Sequence, residues 1–438
     1  MLPLRLRSLT VKLAKAKIII DRVENGVASF SRDFVCEKFR EFYCDPSTLI
    51  PAPPATGQRE FAFLLFRERA MIRHRSAIKI SNLISLFGES VPSDVYHSCA
   101  YYENPEADMD KKGWLGADLV FDIDADHIPT KCDKIHDEWT CGKCQFKGKG
   151  PTPETCPACG GQKFDSKSWP CERCIGSARD ETAKLIDMLE KDFGLSERDF
   201  RVFFSGHRGY HVHVETEVIR TLDSMARKEV VDYITGSGLN LSRREKASSD
   251  GKATSRTFGL HEFGRYGRLK QDMRNFIEVA TKDDLLKAGI KGGASTAILQ
   301  YKQQVLERCI GKGLWDSVRG VGDETWFKIA AYLTNLQIAA IDTVVTTDIH
   351  RLIRMNGTLH GKTGLKKIEF PAARLADFDP FKEAVAFKEG TVKVFVSDAP
   401  EFKLGGSMLG PYKKQTVELP TAAAILLICK GRAEVAEK

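Results

Sequence analysis

Apolar residues recur with helical spacing from Phe34 to Phe42 and again from Leu83 to Phe87, and Pro51, Pro53 and Pro54 break the chain between them. The run Glu60-Phe61-Ala62-Phe63-Leu64-Leu65-Phe66 lacks that period and reads as a buried strand, and Ala117 to Ile123 reads as a second. Between Cys132 and Cys174 the pattern disappears. This stretch is polar and rich in Cys, Lys and Gly, which predicts a small insertion held together by metal. A helix is predicted from about Ala178 to Asp192, with Ala183, Leu185, Ile186 and Leu189 as its apolar positions and Gly194 as a stop. Strand, turn and strand follow over Arg201 to Glu215. From Asn240 to Leu336 the sequence is charged and helical, broken by loops at Gly259 to Gly267, Gly289 to Gly293 and Gly311 to Gly322, so a separate helical subdomain is expected. A strand at Val392 to Val396 and the apolar segment Ala422 to Cys429 close the chain.

Composition narrows this picture only a little. With 438 residues, 42% hydrophobic and 29% charged, the chain has the make-up of a globular protein, which excludes disorder as the default. That length suits one large domain with insertions, or two to three domains. A net charge of +7 fits a polyanionic partner such as nucleic acid but is weak support on its own. The first twenty residues are basic, carry no acid before Asp21 and lack the unbroken apolar core of a signal peptide. They read as a flexible basic arm or an open reading frame begun too early, with a transit peptide as the competing reading. Ala422 to Cys429 is far too short to span a bilayer, so a soluble, intracellular protein is expected.

Cysteine spacing is more informative. Seven of the twelve cysteines fall between Cys132 and Cys174, most of them in C-x-x-C pairs, with His136 among them. Cys36, Cys44, Cys99, Cys309 and Cys429 are scattered, mostly in apolar settings that suit buried thiols. Without a secretory signal, metal ligation is favoured over disulfides. Cys141-x-x-Cys144 and Cys156-x-x-Cys159 form two knuckles, the usual supply of four thiolates to a tetrahedral structural zinc. Cys132, His136, Cys171 and Cys174 surround them and make a second Cys₃His set. Such closed sites point to a structural role.

Three further constellations carry candidate chemistry. In an extended strand, Asp122, Asp124 and Asp126 share one face while Phe121, Ile123 and Ala125 take the other. Same-face carboxylates about 6.5 to 7 Å apart repel unless a cation stands between them, and oxygen ligands suit Mg²⁺ or Mn²⁺. Two such ions clamp the attacking and leaving oxygens in phosphoryl transfer. The bland alternative is a solvated acidic strand end. The second constellation is Ser205-Gly206-His207-Arg208-Gly209, a tight turn between apolar strand fragments. Its glycines let backbone N–H groups approach a phosphate, Ser205 adds a hydroxyl and Arg208 a two-pronged donor. His211 and His213 follow on the second strand, where H-x-H also reads as a metal pair and His213 as a core histidine. In the third, a short helix carrying Arg351 and Arg354 is expected to lead into a loop with His360 and Lys362, positive groups suited to triphosphate or template backbone. Gly357 to Thr363 spells G-x-x-x-G-K-T, one residue short of a P-loop and preceded by that expected helix, so a P-loop is set aside.

This order of acidic strand, Ser-Gly-His-Arg-Gly turn and distant Asp before an Arg- and His-bearing loop resembles the small subunit of archaeal and eukaryotic DNA primases. GWLGADLVFDIDAD, FFSGHRGYHVHV and TTDIHRLIRMNGTLHGKTG carry the resemblance, which runs from about Arg59 to Lys367 and less clearly beyond. It implies a mixed α/β (α+β) primase-polymerase catalytic domain with an inserted zinc-binding motif and a small helical subdomain. The corresponding division is a basic arm at 1–30, catalytic segments at 31–131, 177–239 and 337–438, a zinc-binding insertion at 132–176 and a helical subdomain at 240–336. The resemblance also implies Asp122, Asp124 and Asp342 as catalytic carboxylates binding Mg²⁺ or Mn²⁺. Ser205, His207, Arg208, His211, Arg354 and His360 would bind nucleotide. The implied activity is that of a DNA-directed nucleotidyltransferase making short primers for DNA replication from NTPs or dNTPs on single-stranded DNA. A large primase subunit is the implied partner, with a cytoplasmic, nucleoid-associated location. Relatives of this kind carry one zinc motif, resembling Cys132, His136, Cys171 and Cys174, so the Cys141 to Cys159 ribbon is a departure. Arg243, Arg244, Lys246, Arg265, Arg268, Lys270 and Arg274 are candidates for template phosphates, or a solvated charged surface. Rival readings are a repair or translesion primase-polymerase, a zinc-ribbon DNA-binding protein and a metallohydrolase built on H-x-H.

Overall fold

The computed structural model describes residues 30–66, 71–128, 130, 132–237, 243–247, 253–258, 264–312 and 318–436. All but the last residue of the expected basic arm lies outside them. The chain divides into two compact units, Met1–Thr182 with Glu197–Met225 and Ile341–Lys438, and Ala183–Ser196 with Ala226–Ala340.

Two antiparallel four-stranded sheets underlie the first unit. Their strands in chain order are β1 (Phe61–Leu65), β2 (Met71–Arg75), β3 (Pro92–Ser98), β4 (Leu119–Asp124), β5 (Phe200–Phe204), β6 (Gly209–Val214), β7 (Leu352–Arg354) and β8 (Ile368–Phe370). The first sheet runs β7-β3-β1-β2 and the second β8-β5-β6-β4. Phe61 and Phe63, two residues apart, fall on one face of β1 and pack with Val95 into a core. Val35, Phe39 and Tyr43 of the helix at 30–44 cover this core, as do Leu83 and Phe87 of the helix Ile80–Ser90. The helix Thr421–Cys429 is apolar all round and buried from Thr421 to Leu427, so the C-terminal apolar segment is a core element.

The second sheet separates chemistry from core by register. Tyr210 pairs with Ile123 and Val212 with Phe121, which places these apolar side chains on one face. His211 pairs with Asp122 and Gly209 with Asp124, which gives the opposite face to polar groups. Phe203 and Arg201 extend that polar face on β5, opposite His211 and His213.

Several local expectations change. The acidic strand ends at Asp124, and Asp126 lies in a 3₁₀ turn, Ala125–His127, because Asp124 accepts a hydrogen bond from the Asp126 amide at 3.0 Å. Asp126 therefore leaves the face shared by Asp122 and Asp124. The helix expected around Arg351 and Arg354 ends earlier, at Thr347, and Arg354 closes β7 instead. A strand thus precedes Gly357–Thr363, yet the short glycine spacing remains and no helix follows, so the P-loop stays excluded. The helix after the insertion starts at Glu172 rather than Ala178. The insertion itself holds a three-stranded sheet of Glu138–Cys141, Lys147–Lys149 and Phe164–Lys167. Gly148 is required there, because a Cβ would meet the Trp139 ring at 2.2 Å.

The second unit packs Leu269, Met273 and Ile277, four residues apart on the helix Gly264–Val279, against Trp326, Ile329 and Leu333 of the helix Asp323–Gln337. It also contains a hairpin, Arg243–Ala247 with Ala253–Phe258, in a stretch expected to be helical. Arg268 pairs with Asp187 and Asp192, and Arg265 donates to the Asp232 carbonyl, so these two cations have structural partners. No helix among the described residues is long and apolar enough to cross a membrane.

Candidate active site

Packing around β4 brings the third aspartate to the first two. Val345, on the short helix Thr343–Thr347, is buried with Val120 and Ile353 in one cluster. That contact sets Asp342 beside β4, where its backbone N–H donates to the Asp122 carbonyl oxygen at 2.8 Å. The Asp342 carboxylate caps its helix, accepting from the amides of Val344 at 2.9 Å and Val345 at 3.3 Å. Burial, followed by the negative charges of Asp124 and Asp342, pushes the Asp122 carboxyl up to about 7. Three acids in this arrangement repel one another.

A cavity of about 170 Å³ opens beside these acids, lined by Asp122, Asp124, Ser205, His207, His211, Arg354 and His360 among others. The glycines of the turn are sterically required. A Cβ on Gly209 would meet the Ile123 carbonyl oxygen at 2.2 Å, and Gly206 has φ +86° with His360 packed above it. Ser205 Oγ accepts from the amides of His207 at 3.3 Å and Gly209 at 3.2 Å, closing the turn. The His207 ring stacks on His360 with centroids 5.0 Å apart. Burial holds His207, His211 and His360 well below the usual imidazole range, with neighbouring cations adding to the effect. Arg208 does not line this cavity. Its guanidinium is buried and bonded to Asp137 at 2.7 and 3.0 Å and to Asp126. Burial lowers its pKa to about 10.

Sequence reasoning missed the residues that hold this cradle from behind. Asp94 binds the Arg354 guanidinium and accepts from the Gly361 amide at 3.1 Å. Burial opposes the Asp94 charge, but Arg354 holds its carboxyl below the usual range. Lys367, fully buried, donates to the Arg354 carbonyl oxygen at 2.8 Å and meets His211 Nδ1 at 3.1 Å. Lys430 meets His207 Nε2 at 2.7 Å, and burial reinforced by Arg208 lowers its pKa to about 7. Lys367 follows directly on the His360 loop, but no spacing marks it. Lys430 comes directly after the apolar C-terminal helix and carries no local signal at all.

Comparison with known proteins shows the family. The profile of the family described as DNA primase small subunit matches residues 162–370. The DNA primase small subunit PriS of Cenarchaeum symbiosum is 34% identical over 404 residues, covering 92% of this chain and 98% of its own. The chain belongs to the DNA primase small subunit family. The PriS proteins of Nitrosopumilus maritimus and Methanothrix thermoacetophila are 32% and 34% identical, with 92% and 91% of this chain covered and 98% and 97% of theirs.

This family member gathers its cysteines into two sets. Cys132, His136, Cys171 and Cys174 form one and Cys141, Cys144, Cys156 and Cys159 the other, with the ligand atoms of each within 4.8 Å of one another. The Cys141–Cys159 and Cys144–Cys156 sulfur separations are 3.6 and 3.7 Å, and Cys132–Cys174 is 3.3 Å. A tetrahedron of thiolates with bonds of about 2.3 Å has edges close to these lengths, so both sets fit zinc. Asp137 ties the first set to the turn. Its Oδ1 lies 2.7 Å from His136 Nδ1 and also accepts from Arg208 and from the Trp169 amide.

Proposed function

We propose that this chain is the catalytic subunit of a DNA primase, a DNA-directed nucleotidyltransferase that makes short primers on single-stranded DNA for replication. The convergence of Asp342 on Asp122 and Asp124, beside a cavity edged by Ser205, His207, His211, Arg354 and His360, supports this reading above all. Mg²⁺ or Mn²⁺ held by the three carboxylates would supply a lowered pKa for the attacking 3′-hydroxyl and charge neutralisation for the departing pyrophosphate. Asp122, Asp124 and Asp342 then serve as a rigid anionic frame. Ser205, His207, His211, Arg354 and His360 hold the triphosphate so that catalysis is chiefly positioning and charge stabilisation. Arg208 joins them by exchanging Asp126 for a phosphate while Asp137 retains its other side. The two cysteine sets hold structural zinc, and the large primase subunit is the expected partner.

The test is synthesis on an unprimed single-stranded template with NTPs or dNTPs and Mg²⁺ or Mn²⁺, alone and with a co-expressed large subunit. Primers should appear with the wild-type chain. Asp124→Ala should bind template and extend nothing, and robust synthesis by that variant would refute the carboxylate assignment. Synthesis only from a supplied primer would favour a repair polymerase instead.

A further inference from the structure

Five polar side chains form a line behind the cavity, with Lys367 at its centre. The Lys367 Nζ lies 2.8 Å from the Arg354 carbonyl oxygen, 3.1 Å from His211 Nδ1 and 3.4 Å from His213 Nε2. The far nitrogen of each ring faces a carboxylate. His211 Nε2 is 3.5 Å from Asp122 Oδ1, and His213 Nδ1 is 3.9 Å from Glu215 Oε1. Lys367 and both histidines are buried, so water does not substitute for these partners.

An ammonium has three donors and no lone pair. Burial lowers the Lys367 pKa well below its usual range, but wherever it is an ammonium each imidazole nitrogen that faces it must offer a lone pair, and in a neutral ring the proton then sits on the other nitrogen. As a neutral amine Lys367 would still have two N–H groups, enough for the Arg354 carbonyl and the nearer ring, His211. The Phe203 face, 4.5 Å from Nζ, adds an attraction for positive charge. Where ionised, Asp122 and Glu215 lie 3.5 and 3.9 Å beyond the far nitrogens, so charge attraction favours the same proton positions.

We propose that Lys367 is a positioning residue that fixes His211 as its Nε2–H tautomer and so presents a donor, not a lone pair, to the cavity. This rests on reading the cavity as a triphosphate cradle. A phosphate oxygen accepts hydrogen bonds, so the opposite tautomer would set lone pair against lone pair. His213, with its own proton turned to Glu215, braces Lys367 from the far side.

Two-bond ¹H–¹⁵N correlation spectra of the full chain labelled with ¹⁵N-histidine read the tautomer directly, with His211→Gln assigning the signal. The wild-type spectrum should show His211 protonated on Nε2, and protonation on Nδ1 overturns the proposal without any Lys367 variant. Lys367→Met, of similar length but without a donor, should give a mixed His211 tautomer. Its nucleotide KM should rise by roughly tenfold or more, the scale of one hydrogen bond to a charged group, with a smaller change in kcat. Lys367→Gln retains an amide NH₂ on a shorter side chain and should lie between the two. An unchanged His211 spectrum in Lys367→Met also sinks the proposal. A wild-type chain that makes no primer yet shows the Nε2 proton counts against the functional reading and leaves the tautomer assignment standing.

Discussion

Asp122 has a carboxyl raised from 3.8 to about 7, which ties ionisation, stability and the proposed metal binding together at one side chain. Without divalent ions the folded chain holds more protons than the unfolded chain between about pH 4 and 7, so this group's contribution to stability falls as pH rises through that window. Asp122→Asn removes the repulsion. It should abolish synthesis yet stabilise the chain at pH 8 in chelator by about 1–2 kcal/mol, read as a higher melting temperature, since the side chain is 28% exposed and solvent screens part of the effect. A lower melting temperature would refute the repulsion argument. Calorimetric titration with Mn²⁺ should show affinity falling by about tenfold per pH unit below pH 7, as protons compete for Asp122. Gly209 carries a different residue-scale constraint. Gly209→Ala drives a methyl group into the Ile123 carbonyl oxygen and should destabilise the chain by about 3 kcal/mol, measurable by urea unfolding.

At the scale of elements, the zinc-binding insertion combines two modules with different neighbours. Elemental analysis of the wild-type chain should return close to two zinc per chain, and a value near zero would refute both sites. Replacing Cys141 and Cys144 together with Ser should remove one zinc and leave primer synthesis largely intact, because among the described residues none of the ribbon's ligands lines the cavity. Cys171→Ser should remove the other zinc and also raise the nucleotide KM, because His136 and Arg208 share Asp137. The knuckle spacing revealed both sets in the sequence, since thiolates separated by two intervening residues can reach one ion with little help from the surrounding fold. Asp137 was not legible. Its role depends on Arg208 arriving from the β5–β6 turn, a contact between segments distant in sequence.

For the whole molecule, the proposed template contacts draw on basic residues that differ in availability. Arg268 is committed to Asp187 and Asp192, whereas Arg274 is exposed. Arg274→Glu should weaken template binding and flatten the dependence of log affinity on log salt by about one contact, as read by fluorescence anisotropy. An unchanged slope would assign Arg274 to a solvated surface.

The sequence by itself determined the parts whose chemistry is local. Strand alternation set Asp122 and Asp124 on one face, two glycines marked the Ser205–Gly209 turn, and C-x-x-C spacing defined the cysteine sets. It misjudged Asp126 and the segment around Arg354, where a side-chain cap and a strand partner overrode the local pattern. Only tertiary structure decided which distant groups meet. Burial of Val345 carries Asp342 to β4, the β3–β7 pairing aligns Arg354 with Tyr96 beside Asp94, and Lys367 and Lys430 reach the histidines from loops with no motif of their own. Periodicity records which face of an element avoids water, but not which element will cover that face.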